Sequence, residues 1–311
     1  MIYRTLGSTG LTVSVVGVGT WQFGGEWGVD FTAAEVDRIL GAARDEGMNL
    51  IDTAECYGDH LSESLIGERL QHERDAWIVA SKFGHHYHGY QNRTREWTPS
   101  DVRTQLQDSL RALRTDYLDL LQFHSPSDEE FFNEELWDEL GSIRSEGLVR
   151  HIGLSVSKNT NLRQVEAAPR AHCETLQIIY NRVDRGPEGA VFDAARDANI
   201  GVLARVPLAS GFLTGKYGPD ATFPENDWRS GMDPDKRAAI LAEVEEVRTR
   251  EVPDGAPMAE WALAWPLNNP AVTSVIPGCK NEEQARGNAR AVRWIADPAA
   301  HPQAAQDPGR R

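Results

Sequence analysis

Asn49-Leu50-Ile51-Asp52-Thr53-Ala54-Glu55-Cys56-Tyr57-Gly58 is the stretch from which the fold is read. It opens as a short apolar run, turns ionisable at Asp52, and passes into a small-residue loop that carries a tyrosine. The apolar residues are consecutive, as in a strand buried on both faces of a parallel sheet. The same form recurs at Val15–Gly19, Trp77–Lys82, Leu118–His124, His151–Ser155, Leu176–Tyr180, Gly201–Arg205 and Val272–Ile276. Together these make eight strands, each separated from the next by a longer segment with helical spacing.

The intervening helices announce themselves by their starts. Thr32-Ala33-Ala34-Glu35 is a capping box, followed by the apolar face Val36, Ile39, Leu40 and Ala43. Thr98-Pro99-Ser100-Asp101 combines a hydroxyl cap, proline at the first helical position and an acid in the first turn. Further helices are predicted over 62–70, 130–145, 162–168, 188–198, 234–250, 258–267 and 282–292. Ahead of them all, Ile2–Leu6 and Leu11–Val15 flank the turn Gly7-Ser8-Thr9-Gly10 and predict a hairpin. Alternating strands and helices fit a closed barrel or two doubly wound sheets. No Pro/Gly/Ser-rich linker divides the 311 residues, and a barrel needs roughly 250. The expectation is an α/β fold, a (β/α)8 TIM barrel with an N-terminal β-hairpin, forming one domain over 1–296. The polar segment 297–311 is expected to be a flexible C-terminal tail.

Composition narrows the function. The formal net charge is −15, which repels nucleic acid and anionic lipid, so neither partner is expected. Cys56, Cys173 and Cys279 are odd in number and far apart, which fits a reducing compartment and no disulfide framework. No apolar run approaches a membrane span and no secretory h-region is visible, so a cytoplasmic location is expected. Oligomeric state is left open.

In such a barrel the active site lies where strands end and the following loops begin. The strand ends Asp52, Lys82, His124, Ser155 and Arg205 therefore meet at one rim. An Asp beside a Lys keeps the ammonium charged, and a charged Lys beside a Tyr favours phenolate and draws its pKa down from ~10. Tyr57, five residues beyond Asp52, can return over the strand end and donate a proton to a developing alkoxide. A neutral His124 can hydrogen-bond the same oxygen.

With these residues in place the chain resembles the aldo-keto reductase superfamily. The matching stretches are Asn49–Gly58, Ser81-Lys82, Asp119–His124, Gly153-Leu154-Ser155, Pro207–Lys216 and Val275-Ile276-Pro277-Gly278, in family order from about Tyr3 to Val292. The resemblance implies NADPH-dependent reduction of an aldehyde or ketone, with a small-molecule carbonyl substrate and NADH as a possible second cofactor. It makes Tyr57 the general acid, Lys82 and Asp52 its electrostatic partners, and His124 the orienting group. Thr20 and Trp21 would border the nicotinamide, and Ser155 and Gln177 its carboxamide. The segment from Arg205 through Pro207, Leu208 and Ser210 to Lys216 would cover the pyrophosphate. Gly278, Lys280, Gln284 and Asn288 would take the adenosine phosphate, with Lys280 at the 2′-phosphate.

Two positions depart from the family pattern. Val156 stands where the family commonly has Asn, and Arg205 where it often has an aromatic. A cation facing an oxidised nicotinamide is repelled, which favours the reductive direction. The fold also admits a different function, since some of its members resemble potassium-channel β subunits that bind cofactor and act as docking partners.

Other motifs fall away. Gly17-Val18-Gly19 lacks the third glycine of a dinucleotide fingerprint, and Gly211–Lys216 is one residue short of a phosphate-binding loop. His85-His86-Tyr87-His88 sits in a loop with Gly and Asn and lacks acidic or thiolate partners, so no metal site is expected. Trp21, Trp27, Trp97 and Trp228 are expected to line an aromatic substrate pocket. Specificity is expected to reside in the loops 24–31, 84–97 and 223–233.

Overall fold

A computed structural model describes residues 1–295; the predicted tail 297–311 lies outside the described residues. The chain opens with β1 (Tyr3–Thr5) and β2 (Thr12–Ser14), an antiparallel hairpin. The barrel strands follow as β3 (Val18–Gly19), β4 (Leu50–Asp52) and β5 (Ile78–Gly89). After β6 (Asn92–Glu96), which lies outside the barrel, come β7 (Leu118–His124), β8 (Val149–Ser155), β9 (Thr175–Ile179), β10 (Gly201–Arg205) and β11 (Val272–Val275). The parallel order runs β3-β4-β5-β7-β8-β9-β10-β11. Isolated parallel bridges Val16↔Val275 and Gly19↔Gly278 join the two ends. The Gly17 and Gly19 amides donate to the carbonyls of Val275 and Pro277 at 2.8 and 3.0 Å. At this seam a Cβ on Gly19 would lie 2.5 Å from the Ile276 carbonyl oxygen, so only glycine lets the strands meet. The fold is the expected (β/α)8 barrel with its hairpin.

The pleat divides the strands into two faces. Ile51, Val79, Leu121, Phe123, Leu154, Leu176, Ile178, Val202 and Ala204 belong to the large apolar cluster shared with the helices. Leu50, Ala80, Leu120, Leu203 and Ile276 form a second cluster with Leu6 and Val13 of the hairpin. The hairpin therefore plugs the N-terminal end of the barrel with side chains. One pleat further along the same inward face lie Asp52, Lys82, Gln122 and Arg205. The strands read as unbroken apolar runs because each apolar face is buried; polar residues appear only in the inner layer above the plug.

The helices are α1 (Ala33–Asp45), α2 (Leu61–Glu73), α3 (Pro99–Leu113), α4 (Asp128–Phe131), α5 (Glu134–Ser145), α6 (Leu162–Ala167), α7 (Ala190–Asp197), α8 (Pro234–Arg250), α9 (Met258–Leu267) and α10 (Glu282–Arg290). Both predicted capping boxes are formed, Thr32 with Glu35 and Thr98 with Asp101. The single helix predicted over 130–145 is instead two. Asn133 adopts extended backbone and accepts from the Leu136 amide, starting a new helix. The predicted loop 84–97 is also more ordered than expected. β5 runs on past the barrel rim to Gly89 and returns as β6, an antiparallel pair standing over the strand ends. No helix among the described residues is long and apolar enough to cross a membrane, and all three cysteines are free and buried.

Candidate active site

Asp52 and Lys82 end neighbouring strands on the inward face, and both are almost completely buried. The Lys82 ammonium donates to Asp52 Oδ1 at 2.8 Å, to the Thr53 carbonyl at 2.7 Å and to the Tyr57 hydroxyl at 3.2 Å. Three acceptors around one ammonium satisfy its three donors, which makes a buried lysine tolerable. Burial by itself lowers the Lys82 pKa, but Asp52 and then Tyr57 outweigh it and hold the ammonium above its ordinary value. Asp52 is in turn fixed by two amides, Gln122 Nε2 at 3.1 Å and Gln177 Nε2 at 2.5 Å from Oδ2. Gln177 thus reaches the site with its amide committed to Asp52.

Tyr57 is delivered by the loop after β4. Burial pushes its phenol up to about 12, against the pull of the Lys82 charge. In this pocket desolvation wins over the ammonium, so the hydroxyl is held as a proton donor. The His124 ring stands edge-on to Tyr57, centroids 6.1 Å apart. Burial first, then Lys82 and Arg205, hold its pKa well below the usual imidazole range, so it is neutral. Thr20 Oγ1 donates to the Asp52 carbonyl at 2.9 Å and accepts from Ser62 at the same distance, tying the first βα loop to the second.

A cavity of about 660 Å³ runs from this group across the rim, within the range of cofactor sites. Asp52, Tyr57, His124, Thr20, Trp21, Gln177 and Arg205 line its inner end. Pro207, Leu208, Ser210 and Lys216 line its length, and Gly278, Lys280, Gln284 and Asn288 its far end. Of the residues predicted for catalysis and cofactor binding, Lys82 and Ser155 are not in this wall; both are buried directly behind it. Of the four tryptophans expected in the pocket, only Trp21 and Trp27 line it.

Nicotinamide cofactor fits these surroundings. Ser155 Oγ and Arg205 Nε are buried with no partner among the described residues, so hydrogen-bonding capacity is left over where the carboxamide is expected. The Arg205 guanidinium donates to the Val156 carbonyl at 3.2 Å. Lys280 Nζ donates to the Trp27 carbonyl, and the bridge Trp27↔Asp227 pairs the loop 24–31 with the loop 223–233 across the cavity mouth.

Several residues were missed in the sequence. Gln122 was quoted only as part of a strand, although its parity with Asp52 and Lys82 marks the inward face. Arg229 forms a buried two-bond pair with Asp227, at 2.9 and 2.6 Å, and lines the cavity. Arg290 lines the far end, paired to Glu260 and Glu283. Nothing local in the sequence distinguishes these arginines from surface ones. Trp21 stacks against Trp228 and meets Trp27 edge-on, at 5.7 and 5.2 Å, while Trp97 packs against the core instead.

Comparison with known proteins agrees with this geometry. The model of the Aldo/keto reductase family matches residues 15–298. "Aldo-keto reductase YhdN" of Bacillus subtilis is 30% identical, covering 94% of this chain and 89% of that protein. "NADH-specific methylglyoxal reductase" of Escherichia coli is 29% identical, covering 92% of each. Among solved structures, the holo form of aldo-keto reductase AKR11C1 from Bacillus halodurans superposes with a TM-score of 0.81. It is 25% identical, covering 98% of this chain and 95% of that one.

Proposed function

The chain belongs to the aldo/keto reductase family and is an NAD(P)H-dependent oxidoreductase acting on carbonyls; from that premise we propose that it reduces an aldehyde or ketone to an alcohol with Tyr57 as the proton donor. The observation that carries the assignment is the Tyr57 hydroxyl 3.2 Å from the Lys82 ammonium in the wall of the cavity.

When bound, the dihydronicotinamide supplies the hydride. Tyr57 gives its phenolic proton to the carbonyl oxygen, and Lys82 stabilises the phenolate left behind. Asp52, clamped by Gln122 and Gln177, keeps Lys82 charged and in place. Neutral His124 hydrogen-bonds the carbonyl oxygen and sets its orientation. Thr20 and Trp21 would border the ring, Ser155 and Gln177 would hold its carboxamide, and the segment from Arg205 through Pro207, Leu208 and Ser210 to Lys216 would cover the pyrophosphate. Gly278, Lys280, Gln284 and Asn288 would take the adenosine end. Lys280 favours NADPH through the 2′-phosphate, although the relative named for NADH specificity keeps NADH open. One domain over 1–296 and a cytoplasmic setting complete the reading.

The docking-protein alternative is disfavoured, because a docking protein has no need of a buried Lys–Asp pair aimed at a phenol. Tyr57→Phe is the test. It removes one oxygen, and kcat should fall by about a hundredfold or more, with cofactor Kd within about twofold of the parent. A kcat that survives the substitution would remove Tyr57 from the proton transfer.

A further inference from the structure

Beside Tyr57 lies a cluster of which the proposed carbonyl reduction uses only His124. Glu55 and Cys56 come from the loop after β4, His85 from β5 where it leaves the barrel, and His124 from the end of β7. One donor atom from each lies within 4.8 Å of all the others. The acidic and thiolate partners of His85 lie about thirty residues earlier in the chain, and the barrel brings them to it. We infer that Glu55, Cys56, His85 and His124 form a binding site for a four-coordinate divalent cation of the zinc class.

Geometry is the first support. An ion with Zn–S near ~2.3 Å and Zn–N near ~2.0–2.1 Å holds tetrahedral sulfur and nitrogen ligands roughly 3.5 Å apart, and nitrogen and oxygen roughly 3.3 Å apart. Cys56 Sγ and His124 Nδ1 stand at 3.6 Å. Glu55 Oε1 is 3.8 Å from His124 Nδ1 and 4.0 Å from His85 Nδ1. The sulfur–nitrogen edge from Cys56 to His124 is already formed, the two nitrogen–oxygen edges close by about half an ångström or slightly more, and the remaining three edges, each within 4.8 Å, close by side-chain rotation.

Unmet polar atoms are the second support. Glu55 is 3% exposed, yet among the described residues its Oε2 has no hydrogen-bond partner, and neither has buried His85 Nδ1. Such atoms cost stability unless something fills them. A cation held through Oε1, which also accepts from the His85 amide at 3.1 Å, engages His85 Nδ1 directly and compensates the charge of the carboxylate whose second oxygen is unmet. Ligation releases the Cys56 thiol proton to solvent, and the thiolate and the Glu55 carboxylate together balance the charge of the ion. Three neighbouring cations have carboxylates of their own: Lys82 has Asp52, Arg93 has Glu26 and Arg95 has Glu130.

Nitrogen, oxygen and sulfur donors in one set select zinc-class ions over magnesium or calcium. One contact opposes ligation. Arg95 Nη1 lies 3.0 Å from His85 Nε2, and binding through Nδ1 places the imidazole proton on that nitrogen. Arg95, 37% exposed at its side chain, must turn aside, so it tunes the affinity. A bound ion also pins the His124 ring through Nδ1, so it inhibits turnover; this consequence alone rests on the role proposed for His124.

The test is a cobalt(II) titration of the purified full-length protein, read by absorbance. One Co²⁺ per chain should give tetrahedral d–d bands and a thiolate-to-metal charge-transfer band. Cys56→Ser should abolish the charge-transfer band, and His85→Ala should weaken binding at least tenfold. Arg95→Gln should tighten it. Glu55→Gln serves in place of Cys56→Ser if circular dichroism shows that variant unfolded, and should also weaken binding at least tenfold. Tyr57→Phe should bind cobalt like the parent, which separates this site from the proton-transfer assignment. Absence of the bands, or bands and affinity unchanged in the cysteine (or glutamate) and histidine variants, overturns the site. Zinc should inhibit carbonyl reduction, with the inhibition constant raised at least tenfold in His85→Ala. Stoichiometric binding without inhibition overturns the coupling to His124.

Discussion

At the scale of single residues, the site works by opposing desolvation and charge. Tyr57 is buried enough to be pushed up to about 12 while Lys82 pulls it down. The phenol therefore stays protonated at neutral pH, which suits a group that must give a proton away. His124 is depressed by burial and by Lys82, so it is already neutral where an ordinary histidine titrates. The two directions together fix a pH profile. Reduction measured as kcat/KM should be flat between about pH 6 and 9, without the acid limb near 6.5 that an unperturbed histidine would give. It should fall only in the alkaline range, as the phenol loses its proton. An ascending limb centred near neutrality, absent in a His124 variant, would contradict the neutral state of that ring. Asp52, Tyr57, Lys82 and His124 were legible because strand ends in a barrel converge. Gln122 was not, because an amide in an apolar strand carries no charge signal and declares itself only through its hydrogen bond to Asp52.

At the scale of elements, the chain announces its helix starts well and its interruptions poorly. The boxes at Thr32 and Thr98 combine a hydroxyl, an acid three residues on and an apolar face, and both form. The break at Asn133 was hidden, because the apolar spacing of Phe131, Leu136 and Leu140 continues across it. What ends α4 is local: Asn133 Oδ1 accepts from the Leu136 amide at 3.0 Å, and Trp137 Nε1 donates to the Phe131 carbonyl at 2.6 Å. Asn133→Ala removes the cap and should cost about 1 kcal/mol, lowering Tm by roughly 2 °C for a chain of this size. An unchanged Tm on calorimetry would show that packing alone sets the break. The β5–β6 extension was read as a loop for a related reason. His85-His86-Tyr87-His88 and Asn92-Arg93-Thr94-Arg95 have little apolar content, and the pair is held by ladder hydrogen bonds that leave no mark in composition. It matters to function, because it carries His85, Arg93 and Arg95 over the strand ends.

At the scale of the whole molecule, a chain of formal charge −15 must still attract an anionic dinucleotide, so local arrangement has to oppose the overall field. Besides Arg93 and Arg205, four cations line the cavity: Lys216, Arg229, Lys280 and Arg290. Arg229 is neutralised by Asp227, and Arg290 by Glu260 and Glu283. Among the described residues, Lys216 and Lys280 have no carboxylate in ion-pair reach. Away from Arg205 at the inner end, the uncompensated positive potential of the cavity therefore rests on those two. Burial, and after it the neighbouring Arg229, draws the Lys280 pKa down, which is the strain expected of a cation awaiting an anion. Its present partner is only the Trp27 carbonyl, an exchangeable neutral acceptor. A 2′-phosphate offers it a charge-assisted bond worth about 1.5–3 kcal/mol, and NADH has no such group. Lys280→Ala should therefore weaken NADPH by about tenfold or more while leaving NADH within about twofold, when both are titrated by fluorescence at fixed ionic strength. The NADPH affinity of the parent should also fall more steeply with added salt than that of the variant. Equal loss for the two cofactors would assign Lys280 to holding the loop that carries Trp27, and the preference between them would then have to come from another residue at the far end of the cavity.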